Sequence, residues 1–191
     1  MANLITIFFT ACIGNNIVLM RFIALCPFIG MSTDVDKSVG MGVAVTFVTL
    51  MATFVTYPIY KYILVPLNVG FLQLLVFILV IASLVQLVEF FLKKVVPSLY
   101  TAMGVYLALI TTNCAILAVT IDVVDKGYTF IEALVYALGV SVGFLIAMLL
   151  LAGLRKKLAV APIPEFLQGT PILFIVSGLL SLCFIGLGGI F

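Results

Sequence analysis

The sequence predicts an all-α integral membrane protein of six transmembrane helices, arranged as two three-helix repeats of inverted topology. Three observations predict it. First, 65% of the 191 residues are hydrophobic and only 8% are charged, whereas a soluble domain carries about 25% charged and 45–50% apolar residues. Second, uncharged stretches run over 1–20, 38–60, 62–88, 95–121, 133–154 and 166–191. A spanning helix needs about 20 apolar residues, so each stretch can cross once and none can cross twice with a turn. Third, a cysteine motif recurs in both halves of the chain. This composition excludes an ordinary soluble domain, a disordered chain and a nucleic-acid binder, and a net charge of +2 implies no polyanionic partner. The chain contains no histidine, which excludes imidazole-based catalysis and His-ligated haem or zinc.

The elements follow in order. The first helix is expected over 3–26. It lacks a basic leader and a small-residue cleavage site, so it does not read as a signal peptide. Residues 1–33 hold a single charge, Arg21. As one continuous helix they would reach about 50 Å, well beyond a hydrocarbon core of about 30 Å. Pro27 follows Cys26, and proline disfavours a helical residue before it, so a break around Cys26-Pro27 is expected. Helices follow at 38–61, 70–93 and 99–120. The last of these carries the polar cluster Thr111-Thr112-Asn113-Cys114 and is expected to be interrupted there. The fifth helix is expected over 131–154 and the sixth over 170–190. Almost nothing is left for a soluble part, so residues 1–191 read as a single membrane domain, with repeats of about 1–94 and 95–191.

Orientation follows from Lys and Arg placement. Connections on the N-terminal side hold Lys61 and Lys126. Those on the other side hold Lys37, Lys93, Lys94, Arg155, Lys156 and Lys157. The second side is therefore expected to be cytoplasmic, with both termini outside.

Cys26 is followed after seven residues by Asp34-Val35-Asp36-Lys37, and Cys114 after seven by Asp122-Val123-Val124-Asp125-Lys126. With three helices per half, the second half enters from the opposite side. Such inverted repeats place their site near the bilayer midplane, where interrupted helices meet. Non-helical backbone at that depth must be buried in protein or line a cavity, so both cysteines are expected to face the protein interior.

A free cysteine in a membrane helix is usually a small buried hydrophobe, and Cys12 and Cys183 read that way. Cys26 and Cys114 occupy matching places and are candidate ligands. Three chemistries suit such a pair. A disulfide has no purpose in a bundle this apolar. A structural zinc site needs four ligands. A [2Fe–2S] cluster typically takes four thiolates. Two cysteines are half a set, so a second chain would supply the rest. Residue chemistry leaves the metal open.

The strings Asn15-Asn16-Ile17-Val18-Leu19, Leu25-Cys26-Pro27-Phe28-Ile29-Gly30-Met31-Ser32 and Leu109-Ile110-Thr111-Thr112-Asn113-Cys114-Ala115 resemble the A subunits of Rnf complexes. The stretch from Val85-Gln86-Leu87-Val88-Glu89 to Pro97, Leu99 and Tyr100, and Ser177-Gly178-Leu179 near the C-terminus, extend the likeness along the chain. The wider family includes the E subunits of Rnf and the D and E subunits of the sodium-pumping NADH:quinone reductase, but the Leu-Cys-Pro-Phe and Thr-Thr-Asn-Cys strings favour the Rnf branch.

The resemblance implies a membrane electron-relay subunit of an ion-translocating ferredoxin:NAD oxidoreductase. It implies a [2Fe–2S] cluster shared with a homologous E-type subunit of opposite orientation, with Cys26 and Cys114 as this chain's iron ligands. It implies further partners of the B, C, D and G types, with flavin and NAD on other subunits only, and no catalysis by this chain alone. The implied location is a bacterial or archaeal inner (plasma) membrane, with both termini outside. Runner-up readings are the equivalent subunit of the quinone reductase and a small inverted-repeat transporter subunit.

Other polar residues are ambiguous from sequence. Glu89, with Gln86 one turn earlier, is an ion-path candidate by its place in a span, or half of an i,i+4 pair with Lys93. Asn15, Asn16 and Asn113 either bond across helices or order the backbone beside the cysteines. Arg21 seeks a carboxylate or a partner subunit. Asp34, Asp36, Asp122 and Asp125 read as solvated loop ends. Arg155-Lys156-Lys157 reads as a positive-inside anchor. The apolar loop over 159–166, with Pro162 and Pro164, reads as lying on the membrane surface or on another subunit.

Overall fold

The computed structural model describes residues 2–67, 70–95, 109–110, 112–162 and 164–188, and every regular element among them is helical. Helix α1 spans Ala2–Phe9 and widens into a π-turn at Thr10–Gly14. Two short helices follow, α2 at Ile17–Arg21 and α3 at Leu25–Met31. The long α4, Val35–Ile59, has Pro58 in its last turn and continues as a π-turn at Tyr60–Leu64. Then come α5, Gln73–Val95; α6, Cys114–Asp125; α7, Phe130–Leu158; and α8, Thr170–Gly188.

The segments Val35–Leu64, Gln73–Phe90 and Phe130–Leu158 are long and apolar enough to cross a membrane, and Leu4–Gly14 and Thr170–Gly186 are shorter apolar helices. The second, third, fifth and sixth expected helices therefore all appear, with ends shifted by a few residues. Residues 96–108, which include the start of the fourth expected helix, lie outside the described residues.

The first helix is interrupted close to Cys26, as expected, but not at the expected residues. It is broken twice, at Asn15 and at Phe22–Ala24, and neither break is at Cys26-Pro27. Pro27 sits in the first turn of α3, where the backbone N–H groups have no helical partner and a missing one costs nothing. The chain instead turns at Phe22 (φ 52°) and Ala24 (φ 67°), both left-handed although neither is glycine. Such residues cost about 1–3 kcal/mol each and persist only where their surroundings over-determine them.

Helices α4 and α7 form the centre. Small residues line the contact, as membrane helix packing favours. Ser38, Gly42, Thr49, Ala52, Thr53 and Thr56 lie on the buried face of α4. Thr49, Thr53 and Thr56 donate to the carbonyls of Val45, Thr49 and Ala52, so their hydroxyls enter the core satisfied. The π-turn after α1 lies directly on α7 at Gly139 and Gly143. A Cβ at Gly143 would stand 2.7 Å from the Cys12 carbonyl oxygen, and one at Gly139 would stand 2.8 Å from that of Phe8. Much of α5 is uncovered by this chain, with Leu74, Leu75, Ile78, Leu79, Leu87 and Phe90 exposed.

The two ends of the bundle gather different residues. At one end, rings of Phe54 and Tyr57 on α4 meet Phe130 at the start of α7. There a cavity of about 120 Å³ is lined by Thr6, Thr10, Asn15, Lys126, Tyr128 and Tyr136 among others. At the other end, Arg155 near the close of α7 donates to the Ile29 carbonyl at 3.1 Å and to Ser32 at 3.4 Å. Asp34 lies there as well, and pairing with Lys37 holds its carboxyl below the usual range.

Candidate functional site

Both expected cysteines open a helix that follows a break. Cys26 is the second residue of α3 and Cys114 the first of α6. The two segments touch. The N–H of Ala24, two residues before Cys26, donates to Cys114 Sγ at 3.0 Å. Ala24 can point that N–H outward because its left-handed conformation turns the backbone at the head of α3. Beneath the contact, Ala24, Phe28, Ile110, Ala115 and Ile116 share one core with Val45, Phe144 and Met148. Bonds within one helix could not bring these two segments together; this shared core does.

The expectation that both cysteines face the protein interior is corrected. Cys26 and Cys114 are exposed on the surface of this chain, as is Cys183, and only Cys12 is buried. The broken backbone is buried while the thiols beside it point outward. Cys12 keeps its reading as a packing residue, but Cys183 does not pack inside this chain. Among the described residues, no three His, Cys, Asp or Glu side chains gather to hold a metal ion. At the place where the two broken segments meet, the outward thiols are those of Cys26 and Cys114, fewer than the four donors of a full ligand set.

The asparagines divide. Asn16 caps α2, its Oδ1 accepting the Val18 N–H at 3.1 Å, while its Nδ2 donates to the Gly143 carbonyl at 2.9 Å. It thus bonds across helices and orders the backbone at once. Asn113 caps α6, its Oδ1 accepting the Ala115 N–H at 3.0 Å. Its Nδ2 is buried, and among the described residues no acceptor reaches it. Two exposed cysteine sulfurs, one already accepting an N–H, and a buried amide donor beside them fit a thiolate-ligated iron–sulfur group.

Sequence reasoning missed a polar cluster behind the cysteines. Arg21, the last residue of α2, donates to both carboxylate oxygens of Asp122 at 2.9 Å. The Tyr136 hydroxyl donates to the same carboxylate at 2.8 Å, and Lys126 donates to that hydroxyl at 3.3 Å. Lys126 lies over the Tyr136 ring, 4.4 Å from its centre, and desolvation there pushes its ammonium below the usual lysine range. The reading of Asp122 as a solvated loop end is therefore wrong, because it is shielded between two helices. Glu89 is partly exposed. The Lys93 side chain, and with it the expected pair, lies outside the described residues.

Comparison with known proteins bears on this site. The model of the family described as "Rnf-Nqr subunit, membrane protein" matches residues 4–191. A curated relative from Acetobacterium woodii is 48% identical over 98% of this chain and 97% of its own length, and is named as the A subunit of a Na(+)-translocating ferredoxin:NAD(+) oxidoreductase complex. One from Syntrophotalea carbinolica, 46% identical over 100% of this chain and 98% of its own, is named as the A subunit of an ion-translocating oxidoreductase complex. A third, from Clostridium ljungdahlii, is 45% identical over 99% of this chain and 98% of its own, and is named as the A subunit of a proton-translocating ferredoxin:NAD(+) oxidoreductase complex.

Proposed function

Since this chain belongs to the Rnf-Nqr family of membrane-protein subunits, we propose that it is the A-type subunit of an ion-translocating ferredoxin:NAD oxidoreductase complex. In this reading it relays electrons through a [2Fe–2S] cluster held jointly with a homologous subunit. The observation that carries the reading is the hydrogen bond from Ala24 to Cys114, which brings the Cys26 and Cys114 segments together at the chain's surface. The names of full-length relatives supply the complex.

Cys26 and Cys114 would hold the cluster with two of its four thiolates. The other two would come from an E-type subunit of opposite orientation. A cluster bound there would take up one electron and pass it on, bridging a bilayer too thick for a single tunnelling step. This chain's own residues prepare the place. Ala24 aims an N–H at one ligand sulfur, which favours negative charge there. Cys114 opens a helix whose N-terminal end favours the same charge. Phe28, Ile116 and Met148 close the floor and keep water from below. The partner subunit would cover the outer side, shielding a charged group from lipid.

The reading includes six spans as two inverted repeats in the plasma membrane, with both termini outside. Each half runs in the same order: a broken segment opening on a cysteine, a long packed helix (α4 or α7), then a third apolar helix (α5 or α8). The pairing of Arg155 with Ile29 and Ser32, beside Asp34, supports one basic end.

The test is low-temperature EPR on the anaerobically purified complex after dithionite reduction. Cys26→Ser and Cys114→Ser are each expected to lose the same [2Fe–2S] signal while the complex stays assembled. An unchanged set of signals in both variants would mean that the cysteines are packing residues and the relay reading is wrong.

A further inference from the structure

We infer that Asn113 donates a hydrogen bond from Nδ2 to a sulfur of the group that Cys114 helps to hold, and thereby raises its reduction potential. The inference rests on the reading of Cys26 and Cys114 as ligands. Asn113 is the N-cap of α6, and its Oδ1 accepts the Ala115 N–H at 3.0 Å. That bond decides which end of the amide is oxygen and which is nitrogen. The residue is 4% exposed, and among the described residues no acceptor reaches Nδ2. An amide donor shut away from water and unpaired is unfavourable, and nearly all buried polar groups in folded proteins are paired. The other capping asparagine makes the contrast. Asn16 also caps a helix with Oδ1, and its Nδ2 is bonded to the Gly143 carbonyl. Among the described residues, therefore, the amide nitrogen of Asn16 has an acceptor and that of Asn113 has none.

The chemistry of that acceptor follows from its place. Cys114 is the next residue in the chain, and its Sγ already accepts the Ala24 N–H at 3.0 Å. This corner of the surface thus already directs one backbone N–H at sulfur. A sulfide or partner thiolate adjoining Cys114 is anionic, accepts from N–H, and is absent from this chain alone. Donors to cluster sulfur stabilise the more negative, reduced state and so raise the potential. Asn113 is then a tuning donor that leaves ligation itself to the cysteines.

The test uses the complete complex. Asn113→Ser keeps an oxygen cap on α6 and removes the amide. Redox titration of the Cys114-dependent EPR signal is expected to show a lower midpoint. A tenfold change in the ratio of reduced to oxidised form at fixed ambient potential corresponds to about 59 mV for a one-electron couple. Asn113→Asp also keeps the cap but places a charge where the donor was, and its midpoint should fall further. In wild-type complex labelled with ¹⁵N in asparagine side chains, pulsed EPR is expected to detect one amide nitrogen coupled to the reduced group. That coupling should vanish in Asn113→Ser. An unshifted midpoint with the coupling intact in Asn113→Ser overturns the inference and leaves the cysteine reading standing. If neither variant assembles, absence of the coupling in wild type overturns it. Signals that survive both Cys26→Ser and Cys114→Ser overturn the ligand reading instead.

Discussion

Asp122 is bound from two other helices, by Arg21 at the end of α2 and by the Tyr136 hydroxyl on α7. The two donors differ in what they lose if the carboxylate goes. Arg21 keeps 39% of its side-chain surface in contact with the surroundings, so water or headgroups can replace its partner, and exposed pairs contribute about 1 kcal/mol or less. Tyr136 is 2% exposed, and a buried hydroxyl stripped of its acceptor costs about 1–3 kcal/mol. Asp122→Ala is therefore expected to destabilise the purified complex by about 2 kcal/mol. Arg21→Met should cost about 1 kcal/mol, and Asp125→Ala, at an exposed position, within about 0.5 kcal/mol. Thermal unfolding midpoints of the three variants check the order, and equal losses at Asp122 and Asp125 would contradict it. The same residues show what a sequence discloses. The meeting of the Cys26 and Cys114 segments was legible because equal spacing to an acidic motif repeats in the chain. The Arg21 pair was not, because its partner lies 101 positions away. Nor were Phe22 and Ala24, since a left-handed non-glycine residue is held by tertiary contact and has no local signature.

At the scale of elements, the contact of α7 with the π-turn after α1 decides where the cysteine segment begins. Gly139 and Gly143 lie one turn apart and let the backbone of α1 and its π-turn approach closely. Asn16 then reaches the Gly143 carbonyl and caps α2, which leads into the turn at Phe22–Ala24. Gly143→Ala would push a methyl against the Cys12 carbonyl and the Asn16 amide, both backed by packed structure, with nowhere flexible to yield. Overpacking of this kind costs about 1–3 kcal/mol. Gly153, on the same helix, has nothing within 4 Å of such a methyl, and Gly153→Ala should gain up to about 1 kcal/mol from helix propensity. Opposite signs for the two variants in one denaturation assay are the expected outcome, and losses of similar size would remove the close-approach argument. The long helices were legible because charges bound each apolar run. The exact place of the break in the first was not, because a proline signals a break only inside a helix. In the first turn of α3, Pro27 is compatible with the helix, and the true break needs the Ala24 contact with α6, which no window of sequence contains.

At the scale of the molecule, the lysines and arginines expected on one side of the membrane include Lys37, Arg155, Lys156 and Lys157. The fold brings the start of α4, the end of α3 and the end of α7 to one end of the bundle. The opposite end holds Lys126 among tyrosines, beside Thr6 of α1 and Thr10 of the π-turn that follows it. Short basic connections stay in the cytoplasm because translocating them is unfavourable, so the Arg155 end is expected to be the cytoplasmic one. Alkaline phosphatase fused after Phe191 is expected to be active and green fluorescent protein at the same place dark, while the reporters inserted at Ala161 should behave in reverse. The two sites lie on either side of a single apolar helix, α8. Matching activity at both sites would mean that α8 does not cross the membrane. Reversed activity at both would keep the crossing of α8 and invert the chain, moving the Arg155 end outside against the charge rule.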